Sequence, residues 1–427
     1  MVRRRQQPGS HRPTVSETSA LAADRAQIAR LDGQFLALQR SLRAVQEERA
    51  RVQERLDGYI YPIFTLPNEI VAEIFLRFLP VYLKRPPSSG ILSPMMLGQI
   101  CHRWREIAWS APALWRAISV HCFTPFSKGP RAGLLPLLEG WMTRAASLPL
   151  SISLFLEEDD DDTISNSEED DDFDDAGFRA QLVQTLVSQC SRWEHVKLAG
   201  IMPEDLKLFV GHRMPLLRSL GLVSGTWDQE SVFQDVPLLR SLTLSQQLQP
   251  SFLPLPFSQL TTLVMTSAYE PVLLDILSQT VNLIHFRARL FRHPFRAEMY
   301  KKVKLEFLQS LCLLDGHRFA PSHSVFMIIH ALTVPALRTM RIHQKLLGSA
   351  PLDTLNSLVA RSGCRLQTLC LRGDGSRDHF PPDDLLRAAF PTIQIIFEAE
   401  IHRQWHHVRQ EEGESSEDDE CLESSPE

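Results

Sequence analysis

The residues that could do covalent or metal chemistry are few and poorly spaced for it. His402 and His406 stand one helical turn apart, a separation at which two imidazoles can hold one zinc ion, with His407 beside them. The metalloprotease arrangement puts a glutamate directly after the first histidine, and Arg403 occupies that place, so the segment reads as a polar C-terminal helix. Cys190 with His195 offers a nucleophile and a base in sequence, but nothing around Cys190 would depress its thiol. Lys128 precedes Gly129 with no glycine-rich run upstream, so no phosphate loop forms, and no Gly-x-Ser-x-Gly elbow occurs. Continuous acidic runs lack the turn and alternating ligands of a calcium loop. They do surround Ser167, followed by Glu168, Glu169 and Asp170, and Ser416, followed by Glu417, Asp418 and Asp419. Such contexts suit an acid-directed kinase. The chain is read as a non-enzyme, with no catalytic residue, metal site or cofactor.

The bulk properties agree. The seven cysteines are scattered between Cys101 and Cys421 without a Cys-x-x-Cys pair, so reduced thiols are expected. No apolar run approaches the roughly 18–20 residues of a membrane helix, and the basic, polar start is not a secretory signal. An intracellular protein, cytoplasmic or nuclear, is expected, with Arg3, Arg4, Arg5 and Arg12 as a weak import cluster. The net charge of −6 conceals a split. Residues 157–175 hold thirteen acids and residues 411–427 hold nine, neither with a basic residue. The remainder has 45 basic against 29 acidic residues. The folded part is therefore basic, and the two acidic runs are expected to be disordered and solvated.

Two elements must do the positioning. From Ile28 the chain keeps an apolar seam: Ile28, Leu31, Phe35, Leu38, Leu42, Val45, Val52, Leu56 and Tyr59 follow steps of three and four, broken by Arg49. Asp57-Gly58 and Pro62 end this helix. A helix of this kind alone is marginal, so it needs a partner: a second copy through 28–59, giving a parallel dimer, or the protein's own body. Next, 66–118 reads as short amphipathic helices. Thr65 caps the first, which presents Ile70, Ile74 and Phe75 with Leu66 at its start and stops at Pro80. The breaker cluster Pro86-Pro87-Ser88-Ser89-Gly90 marks a loop over 80–94. A second helix runs from about Met95 with Leu97, Ile100, Cys101 and Trp104 on one side, and Pro112, Leu114 and Trp115 close the unit.

The string Leu66-Pro67-Asn68-Glu69-Ile70, then Ile74-Phe75 and Leu79, then 97–108 with Cys101-His102-Arg103-Trp104 at its heart, then Pro112-Ala113-Leu114-Trp115, resembles the F-box. The whole arrangement looks like the expanded fungal F-box families. Its departure is the 80–94 loop, longer than in the compact module and expected to bulge from one end without touching the packed face. The resemblance implies binding to a Skp-type adaptor and through it a cullin. Leu66, Pro67, Ile70, Ile74, Phe75, Leu79, Ile100, Cys101, Trp104, Leu114 and Trp115 are then the adaptor-facing or module-packing set.

Beyond 176 a pattern recurs: apolar, two variable, apolar, one variable, apolar. It occurs at Trp193-Val196-Leu198, Leu217-Leu220-Leu222, Leu239-Leu242-Leu244, Leu260-Leu263-Met265 and Leu283-Phe286-Ala288. It continues at Leu308-Leu311-Leu313, Leu337-Met340-Ile342, Leu366-Leu369-Leu371 and Ile393-Ile396-Glu398. This is the spacing of leucine-rich repeats, each unit placing one strand on a concave face. The face would expose Arg218, Ser219, Arg240, Ser241, Arg338, Thr339, Gln367 and Thr368, with Arg218, Arg240 and Arg338 as target contacts.

The expected fold class is thus mixed: an N-terminal coiled helix, a small all-α F-box module and an irregular leucine-rich-repeat solenoid of α/β units. The expected segments are 1–20 disordered, 21–60 heptad helix, 62–118 F-box, 119–156 linker and first strand, 157–175 acidic insertion, 176–408 repeats and 409–427 acidic tail. The implied role is the target-recognition subunit of an SCF-type ubiquitin ligase. The alternative is a non-catalytic scaffold dimerising through the N-terminal helix. No membrane contact is expected, and nucleic acid ranks last among partners because basic and aromatic residues do not interleave.

Overall fold

The computed structural model describes residues 15–58, 62–123, 128–157, 175–223, 233, 235–244, 255–291, 301–316, 327–373 and 383–399. The import cluster, Ser167, Ser416, His402, His406, His407 and the acidic tail lie outside them, as does the acidic insertion apart from its ends. The chain divides into two compact units, Met1–Val71 and Ala72–Glu427.

The first unit is dominated by α1 (Val15–Asp57). It starts inside the stretch expected to be disordered, because Ala20, Leu21, Ala22 and Ala23 are strong helix formers that carry the helix upstream of the apolar seam. At its other end the Gly58 amide closes onto Glu54 O at 2.9 Å. Helix α2 (Asn68–Phe78) then begins in the first unit and continues into the second.

The second unit opens with α3 (Pro94–Ile100) and α4 (His102–Ser110), where one continuous helix was expected. The break is at Cys101, whose backbone turns extended. Its Sγ accepts from the Trp104 amide at 3.5 Å and so caps α4. A short turn, Pro112–Trp115, leads into β1 (Ala117–Phe123). There follow α5 (Lys128–Arg144), β2 (Leu150–Glu157), α6 (Asp175–Val187), β3 (Trp193–Ala199), α7 (Pro203–Leu206), β4 (Ser219–Val223), β5 (Ser241–Leu244), β6 (Thr262–Tyr269), α8 (Glu270–Leu277) and β7 (His285–Phe291). The chain continues through β8 (Val303–Lys304), β9 (Ser310–Asp315), α9 (Ile328–Ala331), β10 (Leu332–Thr333), β11 (Thr339–His343), α10 (Pro351–Ser362), β12 (Thr368–Gly373), α11 (Asp383–Ala389) and β13 (Gln394–Ala399). The fold is mixed α/β. Segment 119–156, expected as a linker with one strand, instead carries most of β1, all of α5 and most of β2.

Among the described residues eleven strands form one sheet in the order β1-β2-β3-β4-β5-β6-β7-β9-β11-β12-β13, and every neighbouring pair is parallel. Strands β8 and β10 pair separately. The recurring apolar pattern sets the register. Val196, Leu220, Leu242, Leu263, Phe286, Leu311, Met340 and Leu369 are successive rungs. All are buried, as are the leading residues Leu217, Leu239, Leu260, Leu283, Leu308 and Leu337 in the preceding turns. Each full burial of such a side chain is worth about 1.5–3 kcal/mol, so the row is the core of the unit.

The last copy needs correction. Leu369 pairs with Ile395, not Ile396. Ile395 is buried and Ile396 is exposed, so the pattern shifts by one residue at β13. The row also extends upstream of the recognised copies, through Ile152 to Ile118. Trp115-Ile118-Val120 has the same spacing as the later copies, and all three are buried. Where β2 and β3 end, Gly200 adopts φ +70°, and a Cβ there would sit 1.6 Å from Leu156 O. Only glycine allows that approach.

Candidate functional site

The helical module is built around a few fixed points. Ser93 Oγ accepts from the Met95 amide at 3.2 Å and caps α3, with Pro94 in the first turn. Arg105 Nε donates to Gly98 O at 2.7 Å, tying α4 to α3. The Phe75 and Trp104 rings meet at 4.9 Å. Trp115 Nε1 donates to Ala108 O at 2.7 Å, while its ring meets Trp141 of α5 edge-on at 4.9 Å.

This geometry divides the residues singled out in the sequence. Near the end of the first unit Leu66 is half-buried, Pro67 exposed and Ile70 49% exposed. In the second unit Phe75, Leu79, Leu114 and Trp115 are buried, so they pack the fold. Cys101 and Trp104 are half-buried. Ile74 at 43% and Ile100 at 55% exposure present aliphatic surface to solvent, and Met96 and Phe78 join them. Sequence pattern alone had not separated these two roles.

The 80–94 loop does not hang free from one end of the module but lies against the sheet. Its middle is docked on the first strand: Ser119 N donates to Pro86 O at 2.8 Å and Ser88 N to Ser119 O at 3.2 Å. Tyr82 Oη donates to Glu194 Oε2 at 2.7 Å, and the Arg116 guanidinium stacks on the Tyr82 ring at 3.5 Å. Glu194 also pairs with Arg116 at 3.5 Å and Arg218 at 3.3 Å. Burial, then the bond to Glu194, pushes the Tyr82 hydroxyl up to about 12. Burial also pulls Arg85 down to about 10. The ends of the loop stay apolar and open, with Val81, Leu83, Ile91 and Leu92 exposed. Leu83 and Leu92 hold φ of 95° and 68°, the left-handed region that costs a non-glycine residue about 1–3 kcal/mol.

The sheet has two unlike faces. Between the buried rungs lies a polar row, Ser151, His195, Ser219, Ser241, Thr262, His285, Ser310, Thr339, Thr368 and Gln394, each the register partner of the next. Arg218, Arg240 and Arg338 stand just before β4, β5 and β11, on the rim of this face. Arg218 and Arg240 are adjacent, with Arg240 N donating to Arg218 O at 2.9 Å. Arg338 lies beyond β6, β7 and β9 and is not part of their cluster. Two positions into the strands, the same face carries Arg287 and Arg341, with Arg341 Nη2 2.5 Å from Glu398 Oε1. Arg289 and Arg372 lie farther along β7 and β12 on that parity. Sequence reading missed these four because they emerge only when strand parity is known.

Cys190 is buried and its Sγ donates to Arg213 O at 3.8 Å. Burial pushes the thiol up, the opposite of an activated nucleophile. Among the described residues no group of His, Cys, Asp and Glu could hold a metal ion, and no helix is long and apolar enough to cross a membrane. No family model matches the chain, and no curated protein matches it either.

Proposed function

We propose that this chain is the target-recognition subunit of an SCF-type ubiquitin ligase: an F-box module carrying an irregular leucine-rich-repeat solenoid. The observation that carries the reading is the aliphatic surface left open on the helical module. Ile74, Met96 and Ile100 are exposed while Phe75, Leu97, Ile107 and Leu114 fill the interior. A small, well-filled module that still exposes large apolar side chains suits a buried interface with another protein. The partner is a Skp-type adaptor and, through it, a cullin. The one-strand-per-copy parallel run, buried by its own stacking, supports the repeat half. Its hydroxyl- and arginine-bearing face is the target surface, with a preference for acidic targets.

Direct binding of a purified Skp-type adaptor to the full chain tests this, beside an Ile74→Asp/Ile100→Asp variant. Trp115 is left alone because its loss would disturb the core. Saturable binding is expected, and each lost anchor should cost about 2 kcal/mol or more, roughly thirtyfold in affinity. No binding by the intact chain, or equal binding by a folded variant, would sink the reading. The exposed seam of α1 favours a second one, a non-catalytic scaffold assembled through that helix. Loss of adaptor binding with retained self-association would point there.

A further inference from the structure

Helix α1 leaves its whole seam open. Leu21, Ile28, Leu31, Phe35, Leu38, Leu42, Val45 and Val52 are each 39–69% exposed. With Ile28 at a heptad a position, the a series is Leu21, Ile28, Phe35, Leu42, Arg49 and Leu56. The d series is Asp24, Leu31, Leu38, Val45 and Val52. Over 21–52 two charges therefore interrupt the seam, Asp24 and Arg49. Both are exposed and neither has an ion pair among the described residues. The point midway between them, between Leu36 and Ala37, lies within one residue of the centre of α1 at Leu36.

That symmetry decides the partner and its direction. We propose that α1 pairs with α1 of a second copy of this chain in an antiparallel coiled coil, with Asp24 against Arg49 of the partner subunit. Over 21–52 every a residue then faces a d residue, Leu21 with Val52, Ile28 with Val45, Leu31 with Leu42 and Phe35 with Leu38, while Leu56 lies beyond this span, at the level of Glu17. The charged pair occurs twice, once at each end. The flanking positions match Gln27 with Glu48, Gln34 with Ser41, Arg25 with Gln46 and Asp32 with Gln39, and no like charges meet. A parallel pair would put Asp24 on Asp24 and Arg49 on Arg49 inside the seam, two repulsive layers. The paired span, 21–52, is about 48 Å long at 1.5 Å per residue, enough to bury all eight apolar seam positions of each helix. This pairing is independent of the ligase reading, since it uses only α1.

Sedimentation equilibrium of the full chain should find a dimer. Asp24→Arg or Arg49→Asp alone should weaken it by roughly tenfold or more, and the double exchange D24R/R49D should restore it to within about threefold. A parallel dimer would be indifferent to either single reversal, because its like-charge layers would persist. Helical content is followed by circular dichroism, so that a loss of dimer without loss of helix reports the interface. A photo-crosslinking residue at position 21 should attach near Val52 of the partner subunit. A monomeric wild type, single reversals without effect, or crosslinks clustered around position 21 would each overturn the proposal.

Discussion

Trp115 ends the helical module and also leads the first strand of the sheet. Its indole N–H is held by Ala108 O in α4, and its ring packs on Trp141 of α5. Sequence reading assigned it to the module alone. The signal that would have revealed the second role was present, since Trp115-Ile118-Val120 repeats the apolar spacing of the later strands. It went unread because the residue already had an explanation. The two histidines of the polar row were equally opaque, because their importance depends on burial. His195 lies among Arg85, Arg116, Arg218 and Glu194; burial lowers its pKa, Glu194 opposes this, and the arginines add to the fall. His285 is lowered by burial, with Nδ1 buried and unpartnered. Both are thus more readily protonated in the unfolded chain. Their contribution to stability is full above the ordinary histidine value of about 6.5 and is lost as pH falls through that value toward the lower folded ones. Thermal unfolding should therefore drop between pH 7 and 5, and a His195→Gln/His285→Gln variant should show a flatter profile. An unchanged slope in the variant would assign the acid sensitivity to other groups.

Elements were legible where period and breaker agreed. The seam from Ile28 and the Gly58 stop mark the later part of α1, and the Leu-rich triplets mark β3, β4, β5, β6, β7, β9, β11 and β12 in their true register. Three features were not. The break between α3 and α4 rests on a cysteine acting as a cap, a role for which serine, threonine, aspartate and asparagine are the usual signals. The 80–94 loop has the composition of a solvated bulge, yet Pro86 and Tyr82 are held by partners on the sheet. At β13 the string Ile393-Gln394-Ile395-Ile396 offers two phases, and neighbouring pairing chooses between them: a one-residue slip would turn Ile395 outward. That choice is measurable. Ile395→Ala should destabilise the protein by about 2–4 kcal/mol, whereas Ile396→Ala should cost under about 0.5 kcal/mol. Equal losses from the two would contradict the register seen here.

On the scale of the second unit, the helical module and the sheet are physically one body. Arrays of stacked strands often melt in pieces, because each repeat touches only its neighbours. Here three links bind the module to the array. Trp115 is shared, Pro86 and Ser88 bond to Ser119 of β1, and Tyr82 reaches Glu194 at the start of β3. The last link bypasses β1 and β2, so it ties the module to the third strand directly. Composition and charge could not announce this. They separated the acidic runs from the basic remainder, but the tail and the interior of the insertion lie outside the described residues. Amides of α4 and of β3 should therefore lose hydrogen-exchange protection together as denaturant rises, with the same dependence, since Tyr82 bonds directly to Glu194 of β3. Tyr82→Phe removes the donor to Glu194 and should uncouple them partly, letting α4 exchange first. If α4 already opens well before β3 in the wild type, the module is an independent domain, and the adaptor surface proposed for it is free to move relative to the proposed target face. If they open as one, the module and the strands form a rigid body, as the proposed ligase role would require.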